Sequence, residues 1–404
     1  LLLLRSSHTR ILLCYKNVPS IHLSSLLLLL LLLLPIFQGL LHDGWLLSAI
    51  QILAASGGED DEEEDGEVDP LIADIFVQSQ SSACGAYAVR LFKNGQWETI
   101  LVDDYFPCLA DNQADATSAG AAFAHAEAFE ETWIAILEKA FAKYHGSYAA
   151  LEHGFTHFAL EELTGGEADA ISIALASRGA NKRVFWSKLM KYKRNRYLMG
   201  AGSVAADTAD KELQDTGLVF GAVYTILRVA EIEGNQLIQL RNPPGNHGEW
   251  QGDWGDNSSL WNCRLKALLN LVDDEDDGCF WMSFDDFCHS FRHLYVCRYF
   301  DPDLWSEVKF VEHWRQSLGT AQGLPSKHSP DCKLEENPQF AIAIDRPTDV
   351  VITMSQTDNG LATGEPIEAA LYLVETPKHL PKRSILVKEL TMKNVVAWSG
   401  DPVD

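Results

Sequence analysis

Apolar side chains recur with two different periods along this chain, and the change of period divides it. In the segment 45–55, Trp45, Leu46, Ala49, Ile50 and Leu53 fall at helical spacing with no breaker among them, which predicts a buried helix. Residues 87–104 alternate instead, and Asn94-Gly95 interrupts the alternation where a two-residue hairpin turn would sit. The segment 121–144 is rich in Ala, Glu and Leu and predicts one or two helices. Two further segments, 170–176 and 185–192, are also expected to be helical. From Gly217 onward the texture turns to strands, expected at 218–229, 236–240, 280–284 and 294–299, with a helical insertion at 283–291. The small and polar stretch 201–216 would then be a hinge between a mainly helical first lobe and a sheet-rich second lobe.

Composition narrows the possible partners. The chain has 404 residues, room for two or three domains, and a formal net charge of -25 with a pI near 4.8. That balance argues against nucleic acid and against anionic membrane as partners. Part of the charge is local: residues 59–69 carry nine acidic side chains, a self-repelling run expected to form a solvated loop. A basic cluster at Lys182, Arg183, Lys188, Lys191, Lys193, Arg194 and Arg196 reads as a solvated surface, with a phosphate or acidic partner as the alternative. Eight irregularly spaced cysteines make no disulfide framework and no zinc motif, which fits reduced thiols in a cytoplasmic setting. Cys84 is weighed as a substitute nucleophile and found to have no histidine near it in sequence.

The amino-terminal segment 1–35 is leucine-rich. Its unbroken run 26–34 ends at Pro35 and is shorter than the roughly 20 apolar residues that span a bilayer. With Arg5, Arg10 and Lys16 upstream it has the look of a targeting signal. A fragment or a misassembled exon is the competing expectation.

The residues Gln38-Gly39-Leu40-Leu41-His42-Asp43-Gly44-Trp45-Leu46-Leu47-Ser48-Ala49 resemble the opening of the calpain family of calcium-dependent cysteine peptidases, which are papain-like. Other landmarks follow in family order from about residue 36 to about residue 300. They include Gly217-Leu218-Val219-Phe220-Gly221-Ala222-Val223-Tyr224, Arg241-Asn242-Pro243-Pro244-Gly245, the stretch from Leu137 to Tyr148, and Asp277-Gly278-Cys279-Phe280-Trp281. The resemblance implies an α+β fold: a two-lobed papain-like core, with calpain-like catalytic subdomains at 36–205 and 206–305. A partial C2-like β-sandwich follows at 312–404, where the alternation in 349–356 supports strands.

The resemblance also places the chemistry. Gly44 stands where the family has its nucleophilic cysteine, and Ala222 where it has its histidine. Asn242 keeps the asparagine that orients the imidazole, and Gln38 keeps the oxyanion glutamine, although it could equally close a local hydrogen-bond network. A glycine has no atom with which to attack a carbonyl. The expectation is therefore a calpain-like homologue without catalysis, binding protein or unstructured peptide in the cleft between lobes. The alternatives are an active calcium-dependent endopeptidase, as the family would suggest, or a degenerate gene product. For calcium, Glu249, Asp256 and Asp277 match ligand positions in the second lobe, while Pro35 replaces a first-lobe ligand and Cys279 replaces a second-lobe carboxylate. Calcium binding is thus expected to be weak or absent, and an acidic surface turn at 273–277 is the competing reading.

Overall fold

The computed structural model describes residues 11–14, 36–57, 71–77, 82, 84–109, 122–126, 132–205, 216–244, 248–271, 278–300 and 305–310. Beyond these it describes 337, 339–342, 344, 346–354, 371–375 and 395–398. The leucine run, the acidic run 59–69 and the acidic turn 273–277 lie outside the described residues. The chain divides into two units, Leu1–Phe300 and Asp301–Asp404.

The first unit is built around helix α1 (Gly44–Ala54), whose residues 46–54 are all buried. A helix apolar on every side must be enclosed rather than laid on a surface. On one side it packs against helix α3 (Thr156–Thr164), within a core that also takes Ile134, Leu137 and Phe141 from helix α2 (Trp133–Tyr144). Strands β1 (Ile11–Cys14) and β5 (Phe106–Leu109) pair antiparallel, as do the two-residue strands β2 (Ile36–Phe37) and β6 (His125–Ala126). Strands β3 (Ala86–Lys93) and β4 (Gln96–Asp103) form the hairpin expected from the alternation, in register from Ala86 opposite Asp103 to Lys93 opposite Gln96. Its turn residues Asn94 and Gly95 take φ of 53° and 71°, the left-handed pair that a tight hairpin demands and that Gly95 meets without steric cost.

The other side of α1 meets a six-stranded sheet in which every pairing is antiparallel. It comprises β7 (Glu167–Ser172), β8 (Leu198–Ser203), β9 (Val223–Ile232), β10 (Asn235–Arg241), β11 (Cys279–Ser283) and β12 (Phe291–Arg298), in the order β11-β10-β9-β8-β12-β7. All six residues of β8 are buried. Gly200 makes the close approach possible, because a Cβ there would run into Cδ1 of Ile52 on α1. Helices α4 (Ile173–Ala176), α5 (Asn181–Arg194), α6 (Cys263–Leu268) and α7 (Phe284–Ser290) accompany the sheet. Its core includes Phe185, Trp186, Tyr224, Ile238, Phe280, Phe284 and Leu294.

Four expectations need correction. Residues 170–172 belong to β7 and not to a helix; only Ile173–Ala176 coil, because Ala170 and Ile171 are held by ladder bonds to Tyr295 and Leu294 of β12. Propensity loses there to a partner 120 residues away. In 121–144 the helix begins only at Trp133, and His125–Ala126 pair with β2. Strand β9 begins at Val223, since residues 218–222 form the turn that leads into it. The sheet also draws β7 and β8 from within 36–205, and Ala201–Ser203, read as the start of a hinge, are the end of β8.

In the second unit, β13 (Tyr372–Val374) and β14 (Val395–Trp398) form an antiparallel pair.

Candidate functional site

Helix α1 turns one face toward the sheet, and its hydrogen bonds fix what that face meets. Gly44, Ser48 and Gln51 are spaced by four and then three residues and so share a face. Ser48 Oγ donates to the carbonyl of Val223 (3.3 Å), and Gln51 Nε2 donates to the carbonyl of Asn242 (2.8 Å). Thr225 lies opposite Arg241 in the β9–β10 ladder, which puts Ala222 and Asn242 at the same end of that hairpin. Ala222 is anchored through Ser203: its N–H donates to Ser203 Oγ (3.1 Å), and its carbonyl accepts from the Ser203 N–H (2.9 Å).

Gly44 opens the helix, and the Asp43 carbonyl accepts from Leu46 and Leu47 at 2.8 and 3.2 Å. A Cβ built at position 44 would lie 3.3 Å from Oε1 of Gln38 and 3.8 Å from its Nε2. The Gln38 amide therefore faces whatever side chain position 44 carries. Gln38 Nε2 also donates to the Leu41 carbonyl (2.7 Å), so the local network anticipated for Gln38 exists and holds the amide in place. At the helix amino end the unpaired backbone N–H groups add partial positive charge.

Asn242 is buried, 4% exposed, and its backbone is bonded at both ends: its N–H to the Gly278 carbonyl (2.8 Å), its carbonyl to Gln51. Its side chain is different. Among the described residues neither Oδ1 nor Nδ2 has a hydrogen-bond partner. A buried carboxamide left so costs about 1–3 kcal/mol per unmet group, which a group in the cleft would recover.

Two carboxyl groups lie behind Gly44. Asp43 is wholly buried, and burial pushes its carboxyl up to about 6. It meets Glu138 of α2, 1% exposed, whose carboxyl burial and the charge of Asp43 hold well above the usual range. Both Glu138 oxygens accept from the Ala124 N–H (3.2 and 3.3 Å). Sequence reasoning missed this pair, although a clue existed: Glu138 falls on the helical stripe of Ile134, Leu137 and Phe141, where an acidic side chain must be buried.

The described thiols lie on elements other than α1. Cys84 is exposed beside Ser82 Oγ (3.2 Å), whose hydrogen bond lowers its thiol, at the start of β3 and not on the α1 face. Cys297 is buried and pushed up to about 12 by burial, and Cys288 to about 11. Cys263 is exposed and in no disulfide among the described residues. The basic residues of α5 are partly self-satisfied: Lys182 bridges to Asp285 (2.5 Å) and Lys193 donates to the Leu227 carbonyl (2.8 Å).

Two of the three calcium candidates lie among the described residues. Glu249 spends Oε1 on the Gly278 N–H (2.9 Å), Asp256 is half-buried in the loop before α6, and Asp277 lies outside the described residues. Among the described residues no group of three or more His, Cys, Asp or Glu converges as metal ligands would. No helix among the described residues is long and apolar enough to cross a membrane.

Helix α1 is thus bonded through Ser48 and Gln51 to one end of the β9–β10 hairpin. Residues 31–298 match the family model described as calpain family cysteine protease. The calpain-type cysteine protease ADL1 of Oryza sativa is 36% identical over 330 residues, covering 79% of this chain and 14% of that protein. The DEK1 calpain-type cysteine proteases of Zea mays and Arabidopsis thaliana are each 35% identical over 329 and 328 residues, with the same coverages. The chain thus spans about a seventh of the length of these plant relatives. With two thirds of its length matched to one family model, and with the α1 face set against the β9–β10 hairpin, this chain belongs to the calpain family of cysteine proteases.

Proposed function

We propose that this chain is a calpain-family member that has lost peptide hydrolysis and holds an unstructured peptide in the cleft between its helical and sheet-rich lobes. The observation that carries this reading is the Gln38 amide set 3.3 Å from the Cβ direction of a residue that is glycine. Acyl transfer needs a thiolate, an imidazole to move its proton, and a group that orients the ring. By position, the first two roles fall on Gly44 and Ala222, and only Asn242 remains. The unpartnered Asn242 side chain accords with an absent ring. Carbonyl binding needs none of these groups: an amide and backbone N–H groups suffice, so the cleft keeps the means of gripping a peptide it does not cut.

Calcium has no structural part in this reading, and no nucleic acid or membrane partner is invoked. The sparse, irregular cysteine spacing supports reading the protein as one of a reducing, cytoplasmic setting. Purified protein is expected to leave casein intact with and without millimolar calcium, to form no covalent adduct with a peptidyl epoxide, and to bind unstructured peptides at micromolar strength in titration calorimetry. Calcium-dependent cleavage of casein would restore the reading as an active endopeptidase. An intact fold without peptide binding would move the function away from the cleft.

A further inference from the structure

Asp43 and Glu138 raise a question that the peptide cleft does not answer. Asp43 is fully enclosed at the start of α1, and among the described residues Glu138 is the side chain that its carboxyl meets. What it touches is the Glu138 carboxyl, itself 1% exposed and committed on both oxygens to the Ala124 N–H. Two carboxylates are both acceptors, and contact between them becomes a hydrogen bond only when one carries a hydrogen.

The surroundings say what that hydrogen holds together. Ala122–Ala126 is the neighbour of the segment bearing Gln38: Ile36 pairs with Ala126, Phe37 with His125, and the Leu40 N–H donates to the Ala122 carbonyl (2.8 Å). Glu138 holds this strip at Ala124, and Asp43 ends the same segment. We infer that Asp43 and Glu138 share one proton as a positioning pair for residues 38–43, and that removing the proton lets this segment, with the Gln38 amide, leave its place before position 44.

The other ionisable groups facing the pair leave this assignment intact. His42 adjoins Asp43 and favours its charge, so in the singly protonated pair the anion rests on Asp43 and Glu138 keeps the hydrogen. Tyr148 is held protonated by burial and by the charges of Glu138, Asp103 and Asp43. Asp103 is engaged by Lys139 (2.6 Å). Below the pH at which the pair gives up this hydrogen, Glu138 therefore donates to Asp43 and its other oxygen accepts from Ala124. Above that, both groups would be anions in contact and sealed from water, an arrangement that buried carboxylates do not sustain.

The positioning role itself stands without peptide, whereas its effect on binding rests on the peptide-holding reading. Full-length protein labelled with carbon-13 and nitrogen-15 is titrated from pH 5 to 10, following the carboxyl carbons of Asp43 and Glu138, the Gln38 side-chain amide and the Ile238 methyl group in the sheet. The Glu138 carbon is expected to titrate well above the ordinary carboxyl range, and the Gln38 amide signals to move with the same midpoint while Ile238 stays in place. Glu138→Gln keeps both bonds with a donor that cannot ionise; it should match the parent at pH 7 and show no movement of Gln38 above it. Asp43→Asn should bring the Glu138 titration down toward the ordinary range. Titration of Glu138 in the ordinary range in the parent, equal movement of Gln38 in Glu138→Gln, or concurrent loss of the Ile238 signal would each overturn the inference.

In a separate arm, peptide affinity should fall about tenfold per pH unit above the Glu138 midpoint and stay level in Glu138→Gln. Absence of peptide binding at every pH, with the carboxyl and Gln38 signals behaving as described, would sink the proposed function and leave the positioning pair standing.

Discussion

Restoring the two side chains by position tests the geometry of the site directly. A Cβ at position 44 meets Gln38 Oε1 at 3.3 Å, a contact that a swing of a few tenths of an ångström relieves, because Gln38 is a flexible and exposed side chain. Replacing glycine in a helical first turn gains a few tenths of a kcal/mol in propensity, so Gly44→Cys should alter stability by less than about 1 kcal/mol, roughly 2–4 °C in melting temperature. The new thiol would sit at the amino end of α1, where helix N-H groups favour a thiolate, and should be alkylated by iodoacetamide faster than exposed Cys84. Catalysis should not follow from it alone. Triad members act as a unit, and losing one costs about as much as losing several, so Gly44→Cys and Ala222→His should each stay at background while the double variant rises at least about 100-fold above either. The assay is cleavage of fluorescein-casein, read beside thermal melting to show that each variant is folded. A folded double variant no faster than Gly44→Cys would refute the assignment of the histidine role to position 222. A single Gly44→Cys as fast as the double would show that another base serves the thiol.

Other outcomes are as definite. Gln51→Leu strips the donor from the buried Asn242 carbonyl and should cost about 1–3 kcal/mol in urea unfolding, against no change if that bond is idle. Gly95→Ala forces an alanine to φ near 71° and should cost about 1 kcal/mol by the same measurement. The folded-state carboxyl of Asp43 lies above its unfolded value, so the fold holds a proton that the unfolded chain releases. This contribution is complete below about pH 4 and is lost as pH rises through about 6, at no more than about 1.4 kcal/mol per pH unit; Asp43→Asn should lack that slope, and an identical slope in both proteins would refute the assignment. Calcium at 5 mM should raise the melting temperature by less than about 1 °C, whereas a micromolar site would add about 4 kcal/mol and shift it many degrees.

Local order was readable where one element satisfies itself or has a neighbour close in sequence. The Asn94-Gly95 hairpin, the buried helix α1 and strands β10 and β11 follow from period and turn chemistry alone. Strand β7 did not, because Ala and Ile at 168–171 suit a helix until β12 supplies ladder partners. At the site, the identities at 38, 44, 222 and 242 were legible from motif positions, and the α1 face that meets the hairpin was not. Ser48 and Gln51, which make those bonds, carry no motif of their own, and Asp43 and Glu138 are 95 residues apart with nothing in the sequence to join them.

The place of β12 between β8 and β7 has a consequence for synthesis. Strand β7 leaves the ribosome first but waits about 120 residues for β12, its only ladder partner among the described strands, which at 5–20 residues per second is about 6–24 s of translation. Throughout that interval the nascent chain exposes one unsatisfied edge at β7 and another at β8, the flank that a chaperone must shield. A ribosome that stalls after β8 and before β12 therefore presents a product with two open seams, a structural mark by which quality control can tell it from a chain that has passed β12.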